Sequence, residues 1–239
     1  MRSHVRIVLV ACVSLVVSGP ATTRLAADHV AQIPHILTLR DQNTFYNASL
    51  KVRLEQIVPE IMREEGIDLW LVICRENNED PVYRSLVPFT TLYASRLQIL
   101  VFHDRGAAGV ERFSVNFRQM GEWYKSVWDP TKMDQWAKLA EVIRERNPKV
   151  IGIDESPEDQ YGDGLSASLK AQLVKAIGSE FAKRLKSAER VAVRVLERRT
   201  PDELILYPQV VAIAHAIIAE AFSTQVITPG VTTTDDVVW

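Results

Sequence analysis

The residues Glu197 to Trp239, ERRTPDELILYPQVVAIAHAIIAEAFSTQVITPGVTTTDDVVW, constrain the fold more than any other stretch of the chain. From Leu206 the apolar residues Val210, Ile213, Ala214, Ile217, Ile218 and Ala221 follow the spacing of one helix face, and most other positions are apolar too. Such a helix is expected inside a core. Thr200 fits an N-cap, Pro201 the first helical position, and Asp202 and Glu203 the first turn, where the helix dipole favours acids. Pro208 predicts a kink or break, because its ring clashes with the preceding turn. Pro229 and Gly230 stop the helix. Thr232, Thr233 and Thr234 then offer caps for a next helix opening with Asp235 and Asp236.

The amino terminus reads as an export signal. Arg2 and Arg6 form a basic start, Ile7 to Val17 an apolar run too short to span a bilayer, and Ser18, Gly19, Pro20 and Ala21 a small-residue cleavage region. Cleavage is expected after Ala21 or Ala27, so 1–27 is assigned as a signal peptide and the protein is expected to be secreted or periplasmic. Leu9, Val10, Ala11 and Cys12 spell a lipobox, but the apolar run continues past Cys12. That favours a cysteine within the signal over a lipid anchor, with no membrane attachment after cleavage.

The leader removes three of 28 basic residues (Arg2, Arg6, Arg24) and none of 30 acids, leaving a net charge of −5. No basic excess points to nucleic acid. Cys74 is then the one remaining cysteine, in an apolar run, which suits a buried structural thiol. Asn47, Ala48 and Ser49 form a glycosylation sequon.

Between these ends, helix and strand patterns alternate. Asn43 to Glu65 is predicted helical up to Gly66, and Asp68 to Cys74 reads as a strand buried on both faces. Leu97 to His103 and Val110 to Phe117 read as a hairpin. A helix over Asp134 to Arg146 leads into a strand over Lys149 to Asp154, and helices follow over Leu165 to Ile177 and Ser187 to Arg198. The order predicts an α/β domain with a mixed sheet covered by helices.

Residues that invite chemistry mostly carry a structural explanation. The loop Arg75 to Pro81 crowds Glu76, Glu79 and Asp80 with Asn78 at a strand's carboxyl end, where α/β folds place ligands, yet Asn, Asp and Pro also make a turn. Asp235 and Asp236 are read as caps rather than a metal pair, since adjacent helical residues point about 100° apart. His215, on a stripe with Val211, Ile218 and Phe222, and His103, at a strand end, are read as structural. Tyr161, Gly162, Asp163 and Gly164 form a turn without phosphate-loop spacing, and there is no HExxH, GxSxG or paired CxxC motif.

The run RTPDELILYPQVVAIAHAIIAEAFSTQVITPGVTTTDDVVW resembles the entry to the pita-bread catalytic domain of the creatinase and Xaa-Pro aminopeptidase family, with its (K/R)-(S/T)-P-x-E start and PG-(V/I)-T turn. The preceding sequence resembles that family's ribonuclease-H-like N-terminal domain. The resemblance implies a creatinase-like domain over 28–196 and an incomplete start of the catalytic domain over 197–239. It further implies peptide substrates, homo-oligomers, and two divalent ions such as Mn, Co or Zn held by two Asp, one His and two Glu. Those ligands follow the PG-V-T turn, after which only seven residues remain, so no catalytic or metal residue is carried over to this chain. The resemblance makes the Glu76, Asn78, Glu79 and Asp80 loop the expected substrate-side contact.

The resulting expectation is the N-terminal portion of an exported Xaa-Pro-aminopeptidase-like metallopeptidase, inactive by itself. The alternatives are a non-catalytic binding or dimerisation module, or a fragment of a creatinase-type hydrolase or pseudoenzyme. An ending in VVW rather than a finished element favours truncation over a complete module.

Overall fold

The structure, a computed structural model, describes residues 36–239. The expected signal peptide, Cys12 and the expected cleavage sites lie outside the described residues. The chain divides into two compact units, one spanning Pro34–Val211 and a second containing Ala212–Trp239.

The first unit is built on a six-stranded mixed sheet in the order β4-β3-β2-β1-β5-β6. The central strand β1 (Leu69–Arg75) pairs antiparallel with β2 (Leu97–Asp104) and parallel with β5 (Ile151–Ile153). β2 pairs antiparallel with β3 (Val110–Ser114), confirming the predicted hairpin, with Leu100 opposite Ser114. The outer strands β4 (Lys125–Ser126) and β6 (Leu185–Ser187) add parallel to β3 and β5.

β1 is apolar throughout because both of its faces are covered. Trp70, Val72 and Cys74 point into one core with Leu100 and Phe102 and residues of the helices α1 (Leu39–Val52), α2 (Val58–Glu64) and α6 (Glu189–Glu197). Leu69, Leu71 and Ile73 point into the other, against α4 (Gln135–Arg146) and α5 (Ala167–Ala182). This two-residue alternation makes a mixed α/β sandwich of a sheet flanked by helices. A short helix, α3 (Tyr83–Leu86), follows the loop after β1.

Helix ends follow local chemistry. Asp134 caps α4 by accepting from Trp136 and Ala137 N–H, and Asn147 ends it in the left-handed region at φ 44°. Ser166 caps α5, which runs beyond the predicted Ile177 to Ala182 across a non-helical Gly178. The predicted helix before Gly66 starts earlier than expected, at Leu39, and contains a π turn at Arg53–Ile57. Pro59 explains the widening: it has no N–H for the carbonyl four residues back and its ring would collide there, so the turn before it opens.

α7 (Pro201–Ala221) departs from two expectations. It runs through Pro208 without interruption. The proline is exposed and so is Leu204, whose carbonyl loses its donor, leaving that carbonyl open to water. Nor is the helix buried: Leu204 is 59 % exposed, Ile205 79 % and Val210 52 %, and His215 is exposed rather than a core residue. α7 is apolar on most faces, so its pattern alone could not say which face meets protein. By length and composition it is also long and apolar enough to cross a membrane.

In the second unit, Gly230 turns the chain at φ 77° before α8 (Thr234–Val238). Thr233 and Asp236 form a capping box, which accounts for Asp236 as a cap.

Candidate functional site

The acid-rich loop after β1 sits, as expected, at the carboxyl end of a central strand, but its side chains do different things. Glu76, Asn78 and Glu79 are exposed, whereas Asp80 is 1 % exposed and turns into the protein. Asn78 closes a tight turn through backbone hydrogen bonds with Arg75, helped by Asn77 at φ 63°. Glu79 accepts from the Ala94 N–H at 3.2 Å, and Glu76 accepts from the Arg96 N–H at 3.3 Å. Two of the predicted residues therefore clamp the segment leading into β2.

Asp80 and Asp154, which follows the end of β5, are buried beside each other, and the charge of Asp80 acts on Asp154. Asp80 also accepts from the Val82 N–H at 2.9 Å, and Asp154 from the Trp70 indole at 2.6 Å. Each retains a second buried oxygen with no donor, which fits two carboxyls sharing a proton. Burial pushes Asp80 up to about 6, and burial together with the Asp80 charge pushes Asp154 well above the ordinary carboxylate range. Gly164 makes the room, since a Cβ there would lie 1.9 Å from Asp80 Oδ2. The Tyr161–Gly164 turn thus packs this pair and the start of α6. Cys74 is buried nearby, and loss of hydration pushes its thiol up to about 12, so it is a poor nucleophile.

The clamped segment frames a groove. Two adjoining hollows of about 300 and 310 Å³ share Ser95, Gln98 and Arg118. A buried polar seam makes the floor: Gln98 Oε1 accepts from the Asn116 side-chain amide at 2.8 Å and from the Tyr83 hydroxyl at 3.3 Å, and Asn116 accepts from the Ile99 N–H at 2.8 Å. The rim carries the exposed side chains Leu92, Tyr93 and Phe117, with Arg96 and Arg118 beside them. No Asp, Glu or His lines either hollow. The arrangement offers apolar contact and positive charge for binding, but no acid–base or nucleophile pair for catalysis.

The groove was not predicted, because its residues come from three segments with no shared motif. The tight turn at Arg75–Asp80 and the apolar, arginine-bearing stretches around Leu92 and Phe117 were its only visible traces. His103, at the far end of β2, lies 3.6 Å from Glu111, consistent with a structural place.

A two-metal centre needs several carboxylates and an imidazole around one point. Among the described residues no group of three or more His, Cys, Asp or Glu converges on such a point. The buried Asp80–Asp154 pair brings only two carboxyls and no imidazole and does not fit that role. Asp235 and Asp236 are likewise spent at a helix start.

No family model matches the sequence, and no curated protein matches it. Five solved chains match the structure. One is an Xaa-Pro dipeptidase from Bacillus anthracis, at a TM-score of 0.51 and 14 % identity over 80 % of this chain and 46 % of that one. The chain spans about half the length of this neighbour. At that identity the likeness is one of architecture: the chain has a mixed α/β fold that it shares with part of an Xaa-Pro dipeptidase of the creatinase and pita-bread class.

Proposed function

We propose that this chain is the substrate-side part of an exported Xaa-Pro-peptidase-like hydrolase, supplying peptide-contact surface while the two-metal chemistry resides elsewhere. The supporting observation is the shared architecture with an Xaa-Pro dipeptidase, joined to a groove that offers apolar contact and positive charge. The apolar leader supports export to the periplasm or the extracellular space, with the mature protein starting between Thr22 and Val30.

In this reading Glu76 and Glu79 act as positioning residues, holding the Ala94–Arg96 segment at the groove. Their role is indirect, which agrees with the exposed carboxylates engaging backbone N–H groups rather than facing the hollow. The peptidase the chain would serve uses two divalent ions such as Mn, Co or Zn to activate water, and no step of that chemistry is assigned to residues here.

The test is calorimetric titration of Xaa-Pro-Yaa peptides into the purified chain, with N-terminal sequencing of the exported form. Saturable binding without release of the N-terminal residue, in a protein beginning between Thr22 and Val30, supports the reading. Absence of any peptide binding, or a cytosolic protein that retains Met1, overturns it.

A further inference from the structure

Arg96 occupies an unusual position. It lies in the left-handed region at φ 62°, a strained conformation for a residue with a Cβ. Glu76 enforces it from both directions, since its carboxylate accepts the Arg96 N–H at 3.3 Å and its own N–H donates to the Arg96 carbonyl at 3.2 Å. A glutamate so close to an arginine would ordinarily take the guanidinium. Here it takes the backbone, and Arg96, an exposed residue, lines the hollow without a side-chain partner among the described residues. Arg118 stands in the same hollow, and among the described residues neither guanidinium has a hydrogen bond or an ion pair. Two unpaired arginines on a hollow without acids form a field that favours a carboxylate. Phe117, 72 % exposed, and Trp128 supply apolar surface beside them.

We propose that this hollow binds the carboxyl terminus of an apolar peptide, with the terminal carboxylate between Arg96 and Arg118 and the last side chain against Phe117 and Trp128. A terminal carboxylate is separated from its side chain by a single carbon. That matches charge and apolar surface placed together in about 310 Å³, room for one or two residues. A side-chain acid would carry the negative charge away from the apolar wall. The rigid polar seam under Gln98 keeps the floor in place without ligand, so the site is preformed. The assignment rests on the groove alone and holds whether or not the chain serves a peptidase.

The probes are a short peptide ending in phenylalanine as the free acid, its C-terminal amide, and inorganic phosphate, titrated into the whole chain by calorimetry with Trp fluorescence as a second readout. The free acid is expected to bind roughly ten-fold or more tightly than the amide, and more weakly as salt rises. Arg118→Gln and Arg96→Gly are each expected to abolish the preference for the acid. Arg96→Gly should do so while keeping or raising Tm, because glycine relieves the backbone strain. Loss of binding with an intact fold therefore separates a ligand contact from a structural residue. Equal binding of acid and amide, no saturable binding, unchanged binding in both variants, or displacement by phosphate at equal concentration would each overturn the proposal.

Discussion

Arg53, on the π turn of the first helix, donates from Nη2 to both carboxylate oxygens of Glu203, at 3.0 and 3.1 Å. Its Nη1 donates to the carbonyls of Val195 and Arg198, so one buried guanidinium gathers the end of α6 and the start of α7. Glu203 also completes a capping box, accepting the Thr200 N–H at 2.7 Å while Thr200 Oγ1 accepts the Glu203 N–H at 3.2 Å. The Arg-Thr-Pro-Asp-Glu sequence is thus a helix start whose acid is shared with a distant arginine. Removing Glu203 leaves a buried charge unpaired, and Glu203→Ala is expected to destabilise by about 3 kcal/mol. Arg53→Met should cost less than Glu203→Ala, because it leaves no buried cation. Urea unfolding checks the order, and limited proteolysis of Glu203→Ala should cut near Arg198 to Glu203.

Stability should depend on pH through Asp80 and Asp154. Both folded-state values are raised, so their contribution is fully present below about pH 4, where the unfolded carboxyls also bind protons. It is lost as pH rises through about 6, where Asp80 ionises in the fold. For Asp80 the loss is about 3 kcal/mol. Asp104, Glu111 and Glu65, each held below the carboxylate range and paired with arginines, act in the opposite sense as pH falls through the acid range. Asp154→Asn isolates the pair, since its amide donates to Asp80 at every pH. The difference in Tm between this variant and the parent should grow in favour of the variant from pH 4 to pH 7, and a constant difference would refute the shared proton.

Gly164 is needed for space rather than for its backbone angle. Gly164→Ala places a methyl group 1.9 Å from Asp80 Oδ2, inside any tolerable contact. It should destabilise by roughly 2 kcal/mol or more, as overpacking does. Adding Asp80→Ala should return part of that loss, a coupling measurable by a double-mutant cycle.

The apolar surface of α7 is expected to drive self-association. Leu204, Ile205, Tyr207 and Val210 are all more than half exposed, a patch of a kind that soluble monomers rarely show. Sedimentation velocity should give a concentration-dependent mass, reduced by Ile205→Glu. A parent protein that stays monomeric at high concentration would count against it.

The sequence carried the sheet centre clearly, because β1 is apolar on both faces and β2 and β3 flank a glycine-containing turn. It did not carry β4 and β6, which are only two and three residues long and owe their pairing to neighbours. The π turn escaped notice because Pro59 sits where the charge and apolar pattern still looks helical. Arg53 with Glu203 and Asp80 with Asp154 are far apart in the chain, and nothing local marks either member as half of a pair. Glu76 and Glu79 were singled out for their crowding at a strand end, but whether they face a ligand or a backbone N–H depends on the segment folded over them. The exposed face of α7 was hidden by the helix being apolar nearly all round.

Release of the N-terminal residue from an Xaa-Pro-Yaa peptide, with added manganese, cobalt or zinc and parallel calorimetric metal titration, bears most directly on the separation of peptide contact from metal chemistry. Among the described residues no converging set of metal ligands is found, and the buried Asp80–Asp154 pair has no imidazole beside it. The expected result is no turnover and no tight binding of two metal equivalents. Metal-dependent turnover that persists through repurification, or stoichiometric binding of two ions, would contradict it.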